Sequence, residues 1–488
     1  MGINMKVVCC FLLAILLATT SNVAASTAST STRRSVKEHL TSFEQRTAER
    51  DLSWAKKNGR IFYPVGYGAD PSGEMDSSDA IINALNDAYG STGGSSQVNL
   101  LQGITDLGGV VIDLQGGNYK ISNPISFPPN AGNILVRGGT LRASEDFPTD
   151  RFLIELYAPT SKHVDASGVT SSPAYHYEDV TFEDVLFDSG YRGGGLFVID
   201  AVRVRIDNCF FIHFGTTGIL VEKGHETFVS NTFLGQHITA GGDTHERNFS
   251  GVAIDLASND NVITDVAVFS AATGVILRGP ANVLTGVHCY NKATFFGGVG
   301  VLVKLAGLGQ TRISNCYMDW TGIVMEDPVQ IHVTNAFFLG NAYILLRSVK
   351  GQISGLNIVD NMFTGDGTGV PVIQLDESNG PFRNIDQVVI DRNNVGGMKL
   401  KSTVARKSVA GLGTKWVADF TSELVFPGRI NNVQYSLYLR APQKRFPGHA
   451  VTGVSNNIVT VESRKKVDAV VSMVVDQNSM QGEKNMFI

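Results

Sequence analysis

The chain has 488 residues, 43% hydrophobic and 17% charged, a size and mix that build a large buried core and exclude a disordered protein. Forty Lys and Arg against 45 Asp and Glu leave a net charge of −5 with no basic block, which argues against a nucleic-acid or anionic-membrane partner. The 52 glycines follow no period of three, which excludes collagen, and with abundant Val, Ile, Asn and Thr they point to strands and turns.

Residues 1–25 read as a secretory signal peptide: one cation (Lys6), a short apolar run from Val7 to Ala18, then Val23-Ala24-Ala25 before Ser26. A membrane anchor is the competing reading, but the apolar run is short for a span of ~20 residues, and no later stretch is apolar enough to cross a bilayer. The expected product is secreted, extracellular or in a cell wall, and free of the membrane once the peptide is cut. Cys9 and Cys10 leave with that peptide, so at most one disulfide can form among Cys209, Cys289 and Cys316. Asn248-Phe249-Ser250 is a glycosylation sequon. Residues 26–60 hold a Ser/Thr-rich tail and a loosely amphipathic segment carrying Val36, Leu40, Phe43, Leu52 and Trp54. A helix is predicted from Asp79, capped at Ser77 or Ser78, with Gly90 past its end.

From Gly108 to about residue 400 short β-type runs repeat. One unit is a glycine followed by four mostly apolar residues: Gly195-LFVI, Gly218-ILVE, Gly251-VAID, Gly274-VILR, Gly300-VLVK and Gly322-IVME, at intervals of 23, 33, 23, 26 and 22 residues. A second unit lies between them, as in Arg205-IDNCFF, Val229-SNTF, Ile313-SNCY and Val333-TNAFF. Two short strands per interval with no helix between exclude a doubly wound sheet. Each turn must share its core with the next, which is the logic of a solenoid. The expected fold is all-β, a right-handed parallel β-helix over residues 61–400, with a propeller or sandwich as alternatives. Asn208, Asn231, Asn315, Asn335 and Asn361 are expected at turns as stacked amides or as ordinary turn formers. Residues 401–488 break the pattern and read as a small β domain or a cap on the open end of the coil.

Aligned on their glycines, the strands place positions one and three inward and position four outward. That outward column reads Ile199, Glu222, Asp255, Arg278, Lys304 and Glu326. The charges of both signs suit either a self-neutralising structural ladder or a groove for an extended anionic polymer, with Arg278, Lys304, Glu326 and His288 among the substrate contacts. Glycoside hydrolysis needs a carboxyl acid and a second carboxylate. Asp255, central in the column, is the first candidate, with Glu222 or Asp243 as its partner. Asp260 and Asp265 are read as turn residues, and Arg312 as a salt-bridging strand residue. No zinc, nucleotide or serine-hydrolase motif appears, so no metal or cofactor is expected.

The stretch Phe62-Tyr-Pro-Val-Gly-Tyr-Gly-Ala-Asp-Pro-Ser-Gly followed by Asp76-Ser-Ser-Asp-Ala-Ile resembles the opening of the pectin-lyase-like β-helix superfamily. Gly235-QHITAGGD, Gly286-VHCYNKAT and Gly322-IVMEDPVQ are similar to stretches of the plant QUARTET-type polygalacturonases, a divergent branch. The resemblance runs from Phe62 into the C-terminal region. It implies a secreted, metal-independent, monomeric enzyme cleaving homogalacturonan in pectin. The usual motifs of polygalacturonases are not intact: Gly224-His225-Glu226 and Val287-His288-Cys289 keep a His without flanking glycines, and Arg312-Ile313-Ser314 has Ser in place of Lys. Two other functions fit the same coil. One is a polysaccharide lyase using Lys304 or Arg278 as base with Ca²⁺, and the other a non-catalytic wall-binding protein.

Overall fold

Each turn of the chain contributes three short strands, and each strand pairs in parallel with its counterparts one turn before and one turn after. Thr217–His225, Phe228–Ser230 and Phe233–Gly235 make one such turn; Val252–Asn259, Val262–Thr264 and Ala267–Phe269 make the next, in register. The result is a parallel β-helix with three faces, and its crossovers are of the right-handed kind. Sheet I runs from Ile125–Ser126 to Ile373–Asp376, sheet II from Ile61–Phe62 to Val389–Asp391, and sheet III from Asn118–Ile121 to Asn394–Gly396. The computed structural model describes residues 56–91, 109–129, 131–157, 176–236, 250–290, 297–304, 309–442 and 445–479. The expected signal peptide, the Ser/Thr-rich tail, Asp243 and Asn248 lie outside them.

The count of strands per turn corrects the sequence reading, which sees two. The segment Arg205-IDNCFF is two strands, Arg205–Asp207 and Phe210–Ile212, split by a two-residue turn at Asn208-Cys209. No Gly or Pro marks that turn. Asn208, Asn231, Asn315 and Asn335 occupy it with φ of 49°, 49°, 54° and 54°, the left-handed region that Asn tolerates better than most residues. Their side chains bond outward: the Asn208 amide donates to Asp184 (2.6 Å) and that of Asn231 to Asp207 (2.9 Å). The inward amide stacks are other pairs. Asn261 donates to Asn282 (2.9 Å), which donates to the Gly279 carbonyl (2.6 Å), and Asn361 donates to Asn393 (3.0 Å). These buried carboxamides hold corners whose backbone groups would otherwise be unpaired.

The heading glycines have a packing cause. They line the corner between sheets III and I, where large inward side chains of sheet III come close. A Cβ at Gly195 would lie 2.5 Å from the Phe211 ring, and one at Gly218 would lie 2.7 Å from the Ala253 carbonyl oxygen. The contact at Ala253 exposes an error in the glycine alignment. Ile219 pairs with Ile254 and Ile254 with Val275, so the counterpart of Gly218 and Gly274 is Ala253, not Gly251. The third-sheet residue of that turn is Val268, and an alanine is accommodated beside it, whereas at Gly274, beside Cys289, a Cβ would lie 2.5 Å from the Gly300 carbonyl oxygen. Gly251 is a separate turn glycine with φ 69°.

The core is continuous along the coil and includes stacked rings, with Phe187 on Phe211 and Phe338 on Phe363, both 4.3 Å between centroids. The helix Ser78–Ser91 lays Ile81, Ala84, Leu85 and Ala88 on its first turns and passes one residue beyond Gly90. Its cap is built by the YGAD segment. Asp70 accepts N–H bonds from Ser72, Glu74 and Met75, which hold its carboxyl down at about 2, and Asp76 accepts from Ser78 Oγ (2.7 Å). At the other end Val425 and Phe426 join the core of the coil. An antiparallel sheet follows, centred on the 19-residue strand Ile458–Asp476, which pairs with Val404–Asp419, Asn432–Leu439 and His449–Ser455 over its own core around Trp416. The apolar runs Ile458-VTVES and Ala469-VVSMVV are both parts of that strand. No helix among the described residues is long and apolar enough to cross a membrane.

The corner sets a first test. Gly218→Val should destabilise the coil by about 1–3 kcal/mol, the usual cost of overpacking, while the matching change at Ala253, Ala253→Gly, costs about 1 kcal/mol or less. Urea unfolding of the two variants measures the difference, and equal effects would reject the corner as the reason for the repeat.

Candidate active site

Alternation along each strand of sheet I leaves two rows facing outward. The first row is Phe197, Leu220, Asp255, Ile276, Leu302, Val324 and Leu345, in unbroken register. The second is Ile199, Glu222 and Ala257, then Arg278 and Lys304 immediately after their strands, then Glu326, Arg347 and Asp376. Four of the five charged candidates therefore share one row: Glu222, Arg278, Lys304 and Glu326. Asp255 does not. It sits opposite Leu220, two residues before the slot that Ala257 fills, because the turn was aligned on Gly251 in place of Ala253. A two-residue slip keeps the side chain on the same face.

Asp255 is consequently flanked in its row by the apolar Leu220 and Ile276, with its side chain only 14% exposed, and the row's other acid is Glu155, opposite Phe197. Arg278 reaches back to it with two N–H donors, Nε to Oδ1 at 2.7 Å and Nη2 to Oδ2 at 3.0 Å. The same Nη2 lies 3.8 Å from Glu222 Oε1. Two carboxylates thus flank one guanidinium and are at most about 7 Å apart, no farther than the spacing an inverting glycosidase uses. Further along the row Arg347 joins Glu326 (3.4 Å) and Asp376 (2.9 Å). Lys304, exposed between these two groups, forms no ion pair among the described residues. The face is a half-buried apolar track with a charged edge, and Lys304, without an ion pair among the described residues, lies next to the carboxylate cluster.

His288 is not on this face. It lies on the outer side of sheet III, inside a stripe of rings that climbs the coil: Phe210–Phe233 (5.5 Å between centroids), Phe233–Phe269 (5.3 Å), His288–Tyr317 (5.2 Å) and Tyr317–Phe337 (4.6 Å). Its Nε2 is 3.9 Å from Asp319. Burial lowers the imidazole pKa and raises that of Asp319. Arg312, read as a salt-bridging residue, points outward on sheet II and has no ion pair among the described residues. His225 approaches Glu226 (3.5 Å) at the end of its sheet I strand. Asp260 and Asp265 are left-handed turn residues, as expected. Asp327, just beyond Glu326, is buried and accepts the N–H groups of Val349, Lys350 and Gln352, a structural tie to the next turn. The three cysteines are free and buried, and burial pushes Cys209 up to about 12 and Cys316 up to about 11, which makes them inert thiols.

One cluster escaped the sequence reading. His213 Nδ1 lies 2.8 Å from Asp188, which also accepts from Arg142 (3.2 Å) and the Gly190 N–H, and Tyr191 stacks on the imidazole at 4.9 Å. Asp188 and His213 are 25 residues apart, one turn, and that spacing was the available signal.

Fold and face define a parallel β-helical protein with a long outer track on sheet I. No protein-family model matches the chain. Polygalacturonase QRT3 of Arabidopsis thaliana is 53% identical to it over 420 residues, 86% of this chain and 84% of that protein. The chain therefore belongs to the plant QUARTET-type polygalacturonases. Solved structures similar to it include ORF18 of Geobacillus virus E2 (13% identity, 88% of this chain and 80% of that chain, TM-score 0.48). Another is the endo-xylogalacturonan hydrolase from Aspergillus tubingensis (12% identity, 69% of this chain and 92% of that chain, TM-score 0.46).

The buried imidazole makes a pH test. A histidine whose folded pKa is depressed contributes stability above its unfolded value of about 6.5, and that contribution is lost as pH falls through the folded value. Asp319, raised, works the opposite way at lower pH, from its folded value down to about 3.8. His288→Asn should therefore melt with a weaker dependence on pH just below 6.5 than the unaltered chain. Parallel melting curves for the two proteins would show that His288 is not the source.

Proposed function

We propose that this chain is a secreted glycoside hydrolase that cleaves the α-1,4 bonds of galacturonan in the plant cell wall, with the outer face of sheet I as its cleft. The observation that carries the reading is the Asp255–Arg278–Glu222 cluster, a bidentate carboxylate–guanidinium pair with a second acid 3.8 Å away, set in an apolar track. A polyuronide lying along the coil meets a new turn every ~4.8 Å. Its ring faces rest on Leu220, Ile276 and Leu302, and its carboxylates meet Lys304 and Arg278.

The bidentate pair suggests how the chemistry is gated. Both oxygens of Asp255 accept from Arg278, so the carboxylate is engaged until a competing anion arrives. A sugar carboxylate supplies that anion. It takes over guanidinium N–H groups and frees Asp255 to accept the proton of an attacking water. Glu222, or Asp243 from the segment after sheet III, gives a proton to the leaving glycosidic oxygen. The water oxygen bonds to the anomeric carbon as the carbon–oxygen bond to the leaving sugar breaks. Positioned acid–base groups of this kind are worth about 10²–10⁴ in rate.

Incubation with demethylated polygalacturonate should release reducing ends, and Asp255→Asn should lower that rate at least about 10²-fold without shifting the melting temperature. Turnover that survives the substitution removes Asp255 from the mechanism. Arg278→Ala combined with Lys304→Ala should raise KM and flatten its dependence on salt, since ionic contacts at exposed sites are screened. A KM indifferent to both changes would place the cleft elsewhere.

A further inference from the structure

On sheet II, over its last turns, lies a groove of about 660 Å³ that the proposed mechanism does not use. Its walls are two rows. Gln310, Gln330, Gly355 and Gln387 are successive left-handed turn positions, with φ of 66°, 52°, 64° and 50°. Two residues on, Arg312, His332 and Asn357 occupy one register row of the sheet. The repeat is that of the coil, so four turns give a track of about 14 Å, the length of a short oligosaccharide.

The chemistry of the rows is one-sided. Among the described residues no Asp or Glu lines the groove, and none gives the exposed Arg312 guanidinium an ion pair. The Asn357 carboxamide donates from Nδ2 to His332 Nε2 (2.8 Å), which leaves the imidazole Nδ1 as an N–H donor. The glutamines are exposed amides, each able to donate and accept. Asn478 closes one end; its Oδ1 is shielded from solvent and has no hydrogen-bond partner among the described residues. Carboxamides match sugar hydroxyls, which both donate and accept, and a guanidinium matches a carboxylate through its forked N–H groups. A lone guanidinium among amides is a poor match to a polyphosphate backbone, which calls for a cluster of cations. Without a carboxylate the groove has no group for general acid–base cleavage of a glycosidic bond.

We infer that this groove is a second, non-catalytic carbohydrate site that holds a uronate-bearing oligosaccharide segment along the coil axis. The kind of ligand rests on the galacturonan reading above, whereas the site does not. A polymer held here and on sheet I is bound twice by one chain, and the second contact becomes intramolecular.

The test uses the full chain and two variants, Arg312→Ala with Gln330→Ala for the groove and Lys304→Ala for sheet I. Migration through gels containing polygalacturonate, neutral galactan or polyphosphate measures binding, and reducing ends from a short oligogalacturonide measure turnover. The groove variant should lose about ten-fold in affinity for polygalacturonate, melt like the unaltered chain and turn over the short substrate at the same rate. Unchanged retardation by polygalacturonate would overturn the inference. So would galactan or polyphosphate retarding the chain as strongly and with the same dependence on Arg312. A chain that releases no reducing ends yet is held through Arg312 keeps the groove and ends the hydrolase reading, and the reverse result does the opposite.

Discussion

Parallel hydrogen bonding between successive turns is the constraint on which the rest of this structure depends. It fixes register, so the neighbours of a side chain are the residues one turn earlier and one turn later, about 4.8 Å away. Everything that recognises a ligand is therefore written in columns. Aromatic residues stack into the stripe on sheet III, amides into corner ladders, and charges into the rows of sheet I. The fold supplies periodicity without effort, and a linear polymer is the partner whose own repeat can use it.

The same constraint limits how charge is displayed. Like charges in adjacent turns would face each other at hydrogen-bonding distance from the backbone, a destabilising arrangement. Apart from the neighbouring cations Arg278 and Lys304, the outer charges of sheet I meet opposite ones. Asp255 meets Arg278, Glu326 meets Arg347, which meets Asp376, and Arg203 meets both Glu178 and Asp179. Most of these pairs are partly exposed and contribute little to stability. Their significance lies in exchange: a pair held by solvent-accessible guanidinium contacts gives up a partner to an incoming anion more readily than a buried one does. The ladder and groove readings of the charged column are thus compatible, since a self-neutralised row is what a polyanion would displace.

How far the sequence could be read follows from the same physics. The coil was legible because the corner between sheets III and I excludes a Cβ at Gly195 and Gly218, and those glycines recur at one-turn intervals. The register at Asp255 was not, because Ala253 replaces the corner glycine where Val268 leaves room, while Gly251 offered a false anchor two residues away. The third strand of each turn was missed because asparagine makes the turn that a glycine or proline would have announced. His288 was assigned to the wrong face for the same reason, since without the extra strand its position in the turn could not be counted. Asp188 and His213 meet only through stacking, a relation that one-turn spacing encodes but residue type does not.

The placement of the two tracks bears on how they would cooperate. The carboxylate cluster occupies the turns of Glu222, Asp255 and Arg278, whereas the amide groove covers the next turns, those that carry Lys304, Glu326, Arg347 and Asp376 on sheet I. On those turns Glu326, Arg347 and Asp376 neutralise one another on sheet I, and the Arg312 guanidinium, without an ion pair among the described residues, stands on sheet II in the same turn as Lys304. Lys304 stands at the boundary between the two regions. Unpaired positive charge among the described residues is thus presented on two faces of one turn. On the functional reading, a long polyuronide is drawn toward the cluster by Lys304 on sheet I and toward the amide rows by Arg312 on sheet II. An acidic chain can hold an acidic polymer only through such local exceptions to its own neutralisation.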